Sequence, residues 1–243
     1  MDPKIEKLLS AEYFDQRSAE WLALRGTMLT ASDAATAIGC NPYETPDGLY
    51  VKKVGGRKFG GNAATERGTL LEPIARDMYD AKYNRKSHEI GLVQHHEHLW
   101  LGGSPDGVTE CGRLIEIKCP LTRKIEDKVP KHYVAQIQLL MEILDLPECD
   151  FIQFRPAEGD VKEEFVVTNV KRDREWFAHY LPIMKTFWDR VIEGRKVGFT
   201  CEVIDQEGLE RKDPLCEVSD DQVSYVQEET RPAKMQRVQC DVL

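Results

Sequence analysis

The stretch Gly102–Pro120, GGSPDGVTECGRLIEIKCP, constrains this chain more than any other. Two short extended runs flank Thr109-Glu110-Cys111-Gly112, a cluster of turn formers, so a β-hairpin is expected here. Alternation along its second strand puts Leu114, Glu116 and Lys118 on one face and Ile115 and Ile117 on the other. Any reasonable register leaves Asp106 within a residue or two of Glu116 across the ladder. Two carboxylates held together in a sheet repel unless they share a cation. Ligation by carboxylates and a backbone carbonyl suits Mg²⁺ or Mn²⁺. Lys118 is placed to orient or deprotonate a water, or to offset charge in a transition state. Taken alone, the three residues also fit an exposed Glu–Lys strand face beside a solvated Asp.

Around this hairpin the periodicity alternates between strand and helix. In Trp21–Gly39, WLALRGTMLTASDAATAIG, Thr30 and Asp33 mark a helix start, Ala31–Ile38 a short helix and Gly39 its stop. Arg25 precedes that start and Ser32 lies in its first turn, an arrangement that favours an anion. Residues 64–82 read as a helix with Leu70, Leu71, Ile74, Ala75, Met78 and Tyr79 at helical spacing. Pro73 follows Glu72 there and implies an early turn, a kink or a later start. Residues 90–94 are expected to be a strand, His95-His96-Glu97-His98 an exposed polar turn, and Leu99-Trp100-Leu101 core. Residues 131–146 read as a helix with Val134, Ile137, Leu140, Met141 and Leu144 on one face, and Tyr133 and Gln136 neighbours on another. Strands at 150–155 and 163–170 and a long helix at 172–193, carrying an aromatic stripe from Trp176 to Trp188, complete a mixed sheet with flanking helices.

The net charge of −9 does not favour a nucleic-acid partner, but residues 200–243 hold 11 acids and 5 bases, so most of the acidity lies in the tail. The body carries basic runs at Lys52, Lys53, Arg57 and Lys58, where Arg57 and Lys58 fit either a DNA-backbone contact or a solvated loop, and at Arg123, Lys124, Lys128 and Lys131. Seven scattered cysteines without a CxxC pair argue against a zinc site or a disulfide framework and for thiols in a reducing compartment. No signal peptide or membrane span is expected, which points to an intracellular protein, in the cytoplasm or nucleus of a host if viral. One domain is expected over residues 1–199, followed by an acidic, partly disordered extension over 200–243.

Pro105-Asp106, nine residues and then Glu116-Ile117-Lys118 resemble the core of the PD-(D/E)XK nucleases. Over residues 13–195 the chain is more closely similar to the lambda-exonuclease and YqaJ-type viral recombinase group, 5′→3′ exonucleases on duplex DNA. The resemblance implies an α/β fold with a restriction-endonuclease-like core. It implies one Mg²⁺ held by Asp106, Glu116 and the Ile117 carbonyl, and a second held by Asp106 and Glu72, with Mn²⁺ able to substitute. It makes Arg25, Thr30 and Ser32, in R-x₆-S with TAS, a pocket for a 5′-terminal phosphate. Tyr133 and Gln136 match a YxxQ spacing in which the glutamine supports the active centre through a water. The implied partners are double-stranded DNA with 5′-phosphate ends and a single-strand annealing protein that would take the 3′ overhang. Two alternatives stay open: an endonuclease that uses the same core without end recognition, and a non-catalytic DNA-binding recombination module.

Overall fold

The computed structural model describes residues 1–55 and 63–197. The expectations for Arg57, Lys58 and the acidic extension fall outside these residues. The first half holds α1 (Pro3–Leu9), α2 (Ala19–Gly26), β1 (Leu29–Thr30), α3 (Ala31–Ala37), α4 (Pro46–Gly55) and α5 (Ala63–Tyr83). Then come β2 (Ser87–His88), β3 (Val93–Gln94), β4 (Leu101–Gly103), β5 (Gly107–Thr109) and β6 (Arg113–Lys118). The chain continues through α6 (Lys131–Ile143), β7 (Glu148–Arg155), β8 (Glu164–Lys171) and α7 (Arg174–Val197).

The hairpin forms as its alternation requires. β5 and β6 pair antiparallel, Gly107 opposite Ile115 and Val108 opposite Leu114, which sets Asp106 one step further along, level with Glu116. Gly112, at φ 86°, makes the tight connection in a backbone region that side chains disfavour. The five-stranded sheet runs β2-β5-β6-β7-β8 and is mixed: β6 and β7 are parallel and the other pairs antiparallel. A small sheet, β1-β4-β3, lies apart from it in hydrogen bonding.

The period-2 pattern of β6 divides the core in two. Leu114 joins the larger cluster with Ile137, Leu140 and Met141 of α6, Ala34 of α3, and Met184, Phe187 and Trp188 of α7. Ile115 and Ile117 join the smaller one with Ala75 and Tyr79 of α5 and Ile152 and Phe154 of β7. Each such Leu or Ile taken fully out of water contributes about 1.5–3 kcal/mol. Close packing extends to the backbone of β4, where a Cβ on Gly103 would lie 2.6 Å from Leu140 and 3.1 Å from Ala31.

Several local expectations are corrected. Helix α5 runs unbroken through Pro73, which costs the Thr69 carbonyl its helical partner without ending the helix. Leu70 and Ile74, assigned to its apolar stripe, are 74% and 49% exposed, so the helix buries the face of Ala75 and Tyr79 instead. The strand expected over 90–94 shrinks to β3. His95 is buried, not exposed; its Nδ1 accepts the backbone N–H groups of Glu97 and His98, and burial pushes its pKa down to about 4, leaving a neutral ring stacked on Phe177. Leu99 is exposed while Leu101 is fully buried. The basic runs are largely paired: Lys52 with Glu44, Lys53 with Asp33, and both Lys124 and Lys128 with Glu126. Among the described residues no helix is long and apolar enough to cross a membrane, and Cys40, Cys111, Cys119 and Cys149 are free thiols.

Candidate active site

Asp106 and Glu116 meet at the end of the β5–β6 ladder, where the Ile117 amide donates to Asp106 Oδ2 at 2.6 Å. Glu116 points toward α6 and is fully buried; its Oε1 accepts from the Lys118 ammonium and the Gln136 side-chain amide. Gln136 therefore reaches the carboxylate directly. The Tyr133 ring, one helical turn from Gln136, packs with its centroid 5.3 Å from Lys118 Nζ. That contact sets Tyr133 beside the lysine. From the opposite layer α5 presents Glu72, which lines a cavity of about 490 Å³ together with Asp106, Arg17, Arg76 and Phe14.

Three carboxylates this close impede one another's ionisation. Burial, then the Asp106 charge, lifts Glu116 to about 8, and the same two causes lift Glu72 to about 7. Burial also raises Asp106, against the pull of Lys118 and the Ile117 amide. Burial works against the Lys118 ammonium, but Glu116 and Asp106 outweigh it and raise its pKa, so it stays a cation. In the metal-free protein this ammonium donates hydrogen bonds and offsets the charge of the carboxylates.

Among the described residues no three His, Cys, Asp or Glu side chains stand close enough to form a ready-made metal cage. The donor set nevertheless fits a hard divalent ion: Glu116 Oε2 is buried without a hydrogen-bond partner, and the raised carboxyl pKa values mark excess negative charge. Metal and proton then compete for the same oxygens. Between pH of about 4.5 and 8 the folded, metal-free protein holds more protons on Glu116 than the unfolded chain does, so its stability falls as pH rises through that window. Added Mg²⁺ or Mn²⁺ is expected to raise Tm by several degrees more at about pH 8 than at about pH 6. Glu116→Gln is expected to remove most of that difference, and thermal shifts that are equal at both pH values would contradict the competition.

Arg25, Thr30 and Ser32 also come together. Arg25 Nη2 donates to Ser32 Oγ at 2.9 Å and to Thr30 Oγ1 at 3.3 Å. Thr30 does not cap α3 with its side chain; its hydroxyl donates to Asp33 Oδ2 at 2.6 Å. Asp33 is matched by Lys53 of α4, whose ammonium lies 2.7 Å from the same oxygen.

Trp21 joins the two clusters. The Arg25 guanidinium stacks 4.5 Å from the Trp21 ring centroid, and the indole N–H donates to Ser104 Oγ at 3.1 Å, two residues before Asp106. Trp21 and Ser104 are not singled out by the sequence, and Lys53 only as part of a basic run; nor are Arg76, which donates to the Asp106 carbonyl at 3.0 Å, and Arg17, 3.7 Å from Glu72. The four-residue spacings Trp21–Arg25 and Glu72–Arg76 were the available signal, since each puts two side chains on one helix face. Arg17 adds a left-handed backbone, φ 71°, which sequence does not reveal in a non-glycine residue.

Comparison with known proteins agrees with this architecture. An alkaline exonuclease from Laribacter hongkongensis superposes with a TM-score of 0.65 at 27% identity, over 74% of this chain and 95% of that one, and a second structure of that enzyme is a complex with dAMP. The uncharacterized protein R354 of Acanthamoeba polyphaga mimivirus is 31% identical over 182 residues, 67% of this chain and 33% of its own length. Protein D345L of African swine fever virus is 30% identical over 155 residues, 51% of this chain and 44% of its own. The match thus spans less than half the length of these viral relatives. The fold is α/β with a mixed sheet flanked by helices, of the PD-(D/E)XK type seen in the alkaline exonuclease. The family model for the YqaJ-like viral recombinase domain matches residues 20–146, across the Arg25 cluster, Glu72, the hairpin and Gln136, and the chain belongs to that family.

Proposed function

We propose that this protein is a divalent-metal-dependent nuclease that digests linear double-stranded DNA 5′→3′ from a phosphorylated end and leaves 3′ single-stranded overhangs for recombination. The observation that supports this reading is the chain of contacts from Arg25 through Trp21 to Ser104, two residues before Asp106, as expected of an anion pocket that works together with the acid cluster. A terminal phosphate held there fixes the scissile bond against the carboxylates, and positioning of this kind lowers a barrier by removing orientational freedom.

Asp106, Glu116 and the Ile117 carbonyl would hold one Mg²⁺, and Asp106 with Glu72 a second, Mn²⁺ serving in its place. What such ions supply when bound is Lewis-acid polarisation of the phosphodiester and neutralisation of charge on its oxygens. Gln136 fixes the rotamer of Glu116 by donating to Oε1, and Arg76 fixes the backbone at Asp106 through its carbonyl. Lys118, held cationic, donates a hydrogen bond to the attacking water or to a phosphoryl oxygen and offsets charge as the new P–O bond forms. Tyr133 restrains the lysine by stacking. The duplex is the substrate, mononucleotides are the products, and the dAMP complex of the alkaline exonuclease supports that product class. The site of action is intracellular, and an annealing protein would take the 3′ strand.

Digestion of duplexes that differ only in a 5′-phosphate or 5′-hydroxyl tests the pocket. The wild type is expected to prefer the phosphorylated end, and Arg25→Ala to reduce that preference about 10–100-fold, the worth of a lost charged hydrogen-bond pair. An unchanged preference in Arg25→Ala would remove Arg25 from end recognition.

A further inference from the structure

A carboxylate inside a phosphate pocket is a liability, and Asp33 is one: its Oδ2 accepts from Thr30, whose hydroxyl also contacts Arg25 and Ser32. Resting on the 5′-phosphate reading above, we propose that Asp33 and Lys53 act as a paired charge filter that sets how strongly the pocket discriminates a 5′-phosphomonoester from an uncharged end.

Hydrogen-bond direction carries the first part of the argument. The single Thr30 proton is committed to Asp33 Oδ2, so across the 3.0 Å contact Ser32 must donate and Thr30 accept. Arg25 donates to both oxygens. Thr30 is completely buried and Ser32 is exposed, so the groups that can turn toward an incoming phosphate are the Arg25 guanidinium and the Ser32 hydroxyl. Asp33 thus orders the hydroxyls and removes Thr30 as a competing donor.

Charge carries the second part. Arg25 and Asp33 alone sum to zero, which would leave a phosphate no net attraction. Lys53 restores one positive charge: its ammonium is 2.7 Å from Asp33, also donates to the Met28 carbonyl at 3.1 Å, and is 13% exposed. Its backbone is held in turn, because Arg195 of α7 donates to the Lys53 carbonyl from Nε at 3.0 Å and Nη2 at 2.7 Å and to the Gly26 carbonyl at 2.8 Å. Gly26 follows Arg25 directly, so one arginine ties the lysine to the end-recognising segment. Asp33 is held below the ordinary carboxylate range: burial opposes this, but Lys53, Thr30 and Arg25 outweigh it, so the acid is charged when DNA arrives.

The test measures the ratio of Kd values for 5′-hydroxyl and 5′-phosphate duplexes with the full chain, in EDTA and at low salt, so that it reads binding without turnover. Lys53→Met is expected to lower the ratio about 10–100-fold, toward one, and Asp33→Asn to raise it by about tenfold, as removal or addition of one unit of net charge at short range requires. The double variant Asp33→Asn/Lys53→Met is expected to return within about threefold of wild type. A purely structural ion pair predicts the opposite sign for Asp33→Asn, so a ratio unchanged or lowered in that variant overturns the filter even where Lys53→Met fails to fold. A wild-type ratio of one would instead sink the 5′-phosphate reading on which the filter rests.

Discussion

Lys118→Met and Asp106→Ala are each expected to lower phosphodiester cleavage by about 10³-fold while leaving a folded protein. Folding survives in the lysine variant because Glu116, already lifted to about 8, takes up a proton when its cationic neighbour is gone. Asp106→Ala relieves repulsion within the cluster, and its loss falls on the Ile117 amide, a single hydrogen bond worth about 1 kcal/mol. Rates under saturating Mg²⁺, beside melting curves of the same preparations, check both halves. Retention of more than about a tenth of the wild-type rate in either variant would refute the assignment of that residue to the chemistry.

Asp150→Ala has the largest expected effect on stability, about 3–5 kcal/mol. Asp150 is 3% exposed and collects four donors: Tyr79 and Arg85 on Oδ2, Arg113 at 3.1 Å and Asn169 at 2.8 Å on Oδ1. It ties α5, the loop after it, β6 and β8 to the middle of β7. Its removal takes a charged partner from two partly buried guanidinium groups, leaving Arg113 with Glu148 at 2.8 Å and Arg85 with the Tyr79 hydroxyl, so the desolvation each has undergone is less well compensated. Urea denaturation reads the difference as a lower midpoint at unchanged slope; a loss under about 1 kcal/mol would mean that solvent replaces the carboxylate at little cost. The network lies on the α5 side of the sheet, with Ile152 and Phe154, so surviving molecules are expected to keep the geometry of Glu116 and Lys118 on the other face.

These two residues illustrate what sequence does and does not carry. The Asp106–Glu116 juxtaposition was readable because strand alternation and one short turn leave little freedom between two positions on adjacent strands. The division of Leu114 from Ile115 and Ile117 between two cores followed from the same period. The Asp150 network was not readable: its members lie up to 90 positions apart between Tyr79 and Asn169, and no local pattern reports a long-range polar contact. His95 was misjudged because a histidine in a polar run resembles a surface turn, and only the packing of α7 places Phe177 over it. Leu70 and Ile74 fit a helical stripe, yet α5 turns that part of its surface to solvent. At the pocket, R-x₆-S was local and visible, whereas Lys53 lies on the following helix, α4, and Ser104 on the approach to β5. Sequence resemblance supplied the residues proposed to touch the substrate, and the tertiary fold supplied those that surround and charge-balance them.

The most direct measurement is digestion of one DNA as a 5′-phosphorylated linear duplex, a 5′-hydroxyl linear duplex and a covalently closed circle, with Mg²⁺ and with EDTA. The account predicts Mg²⁺-dependent release of mononucleotides, fastest from the phosphorylated linear form, with the circle intact and EDTA abolishing the reaction. Cutting of the circle, or no cutting of any form with Mg²⁺ or Mn²⁺, would contradict an end-directed, metal-dependent exonuclease.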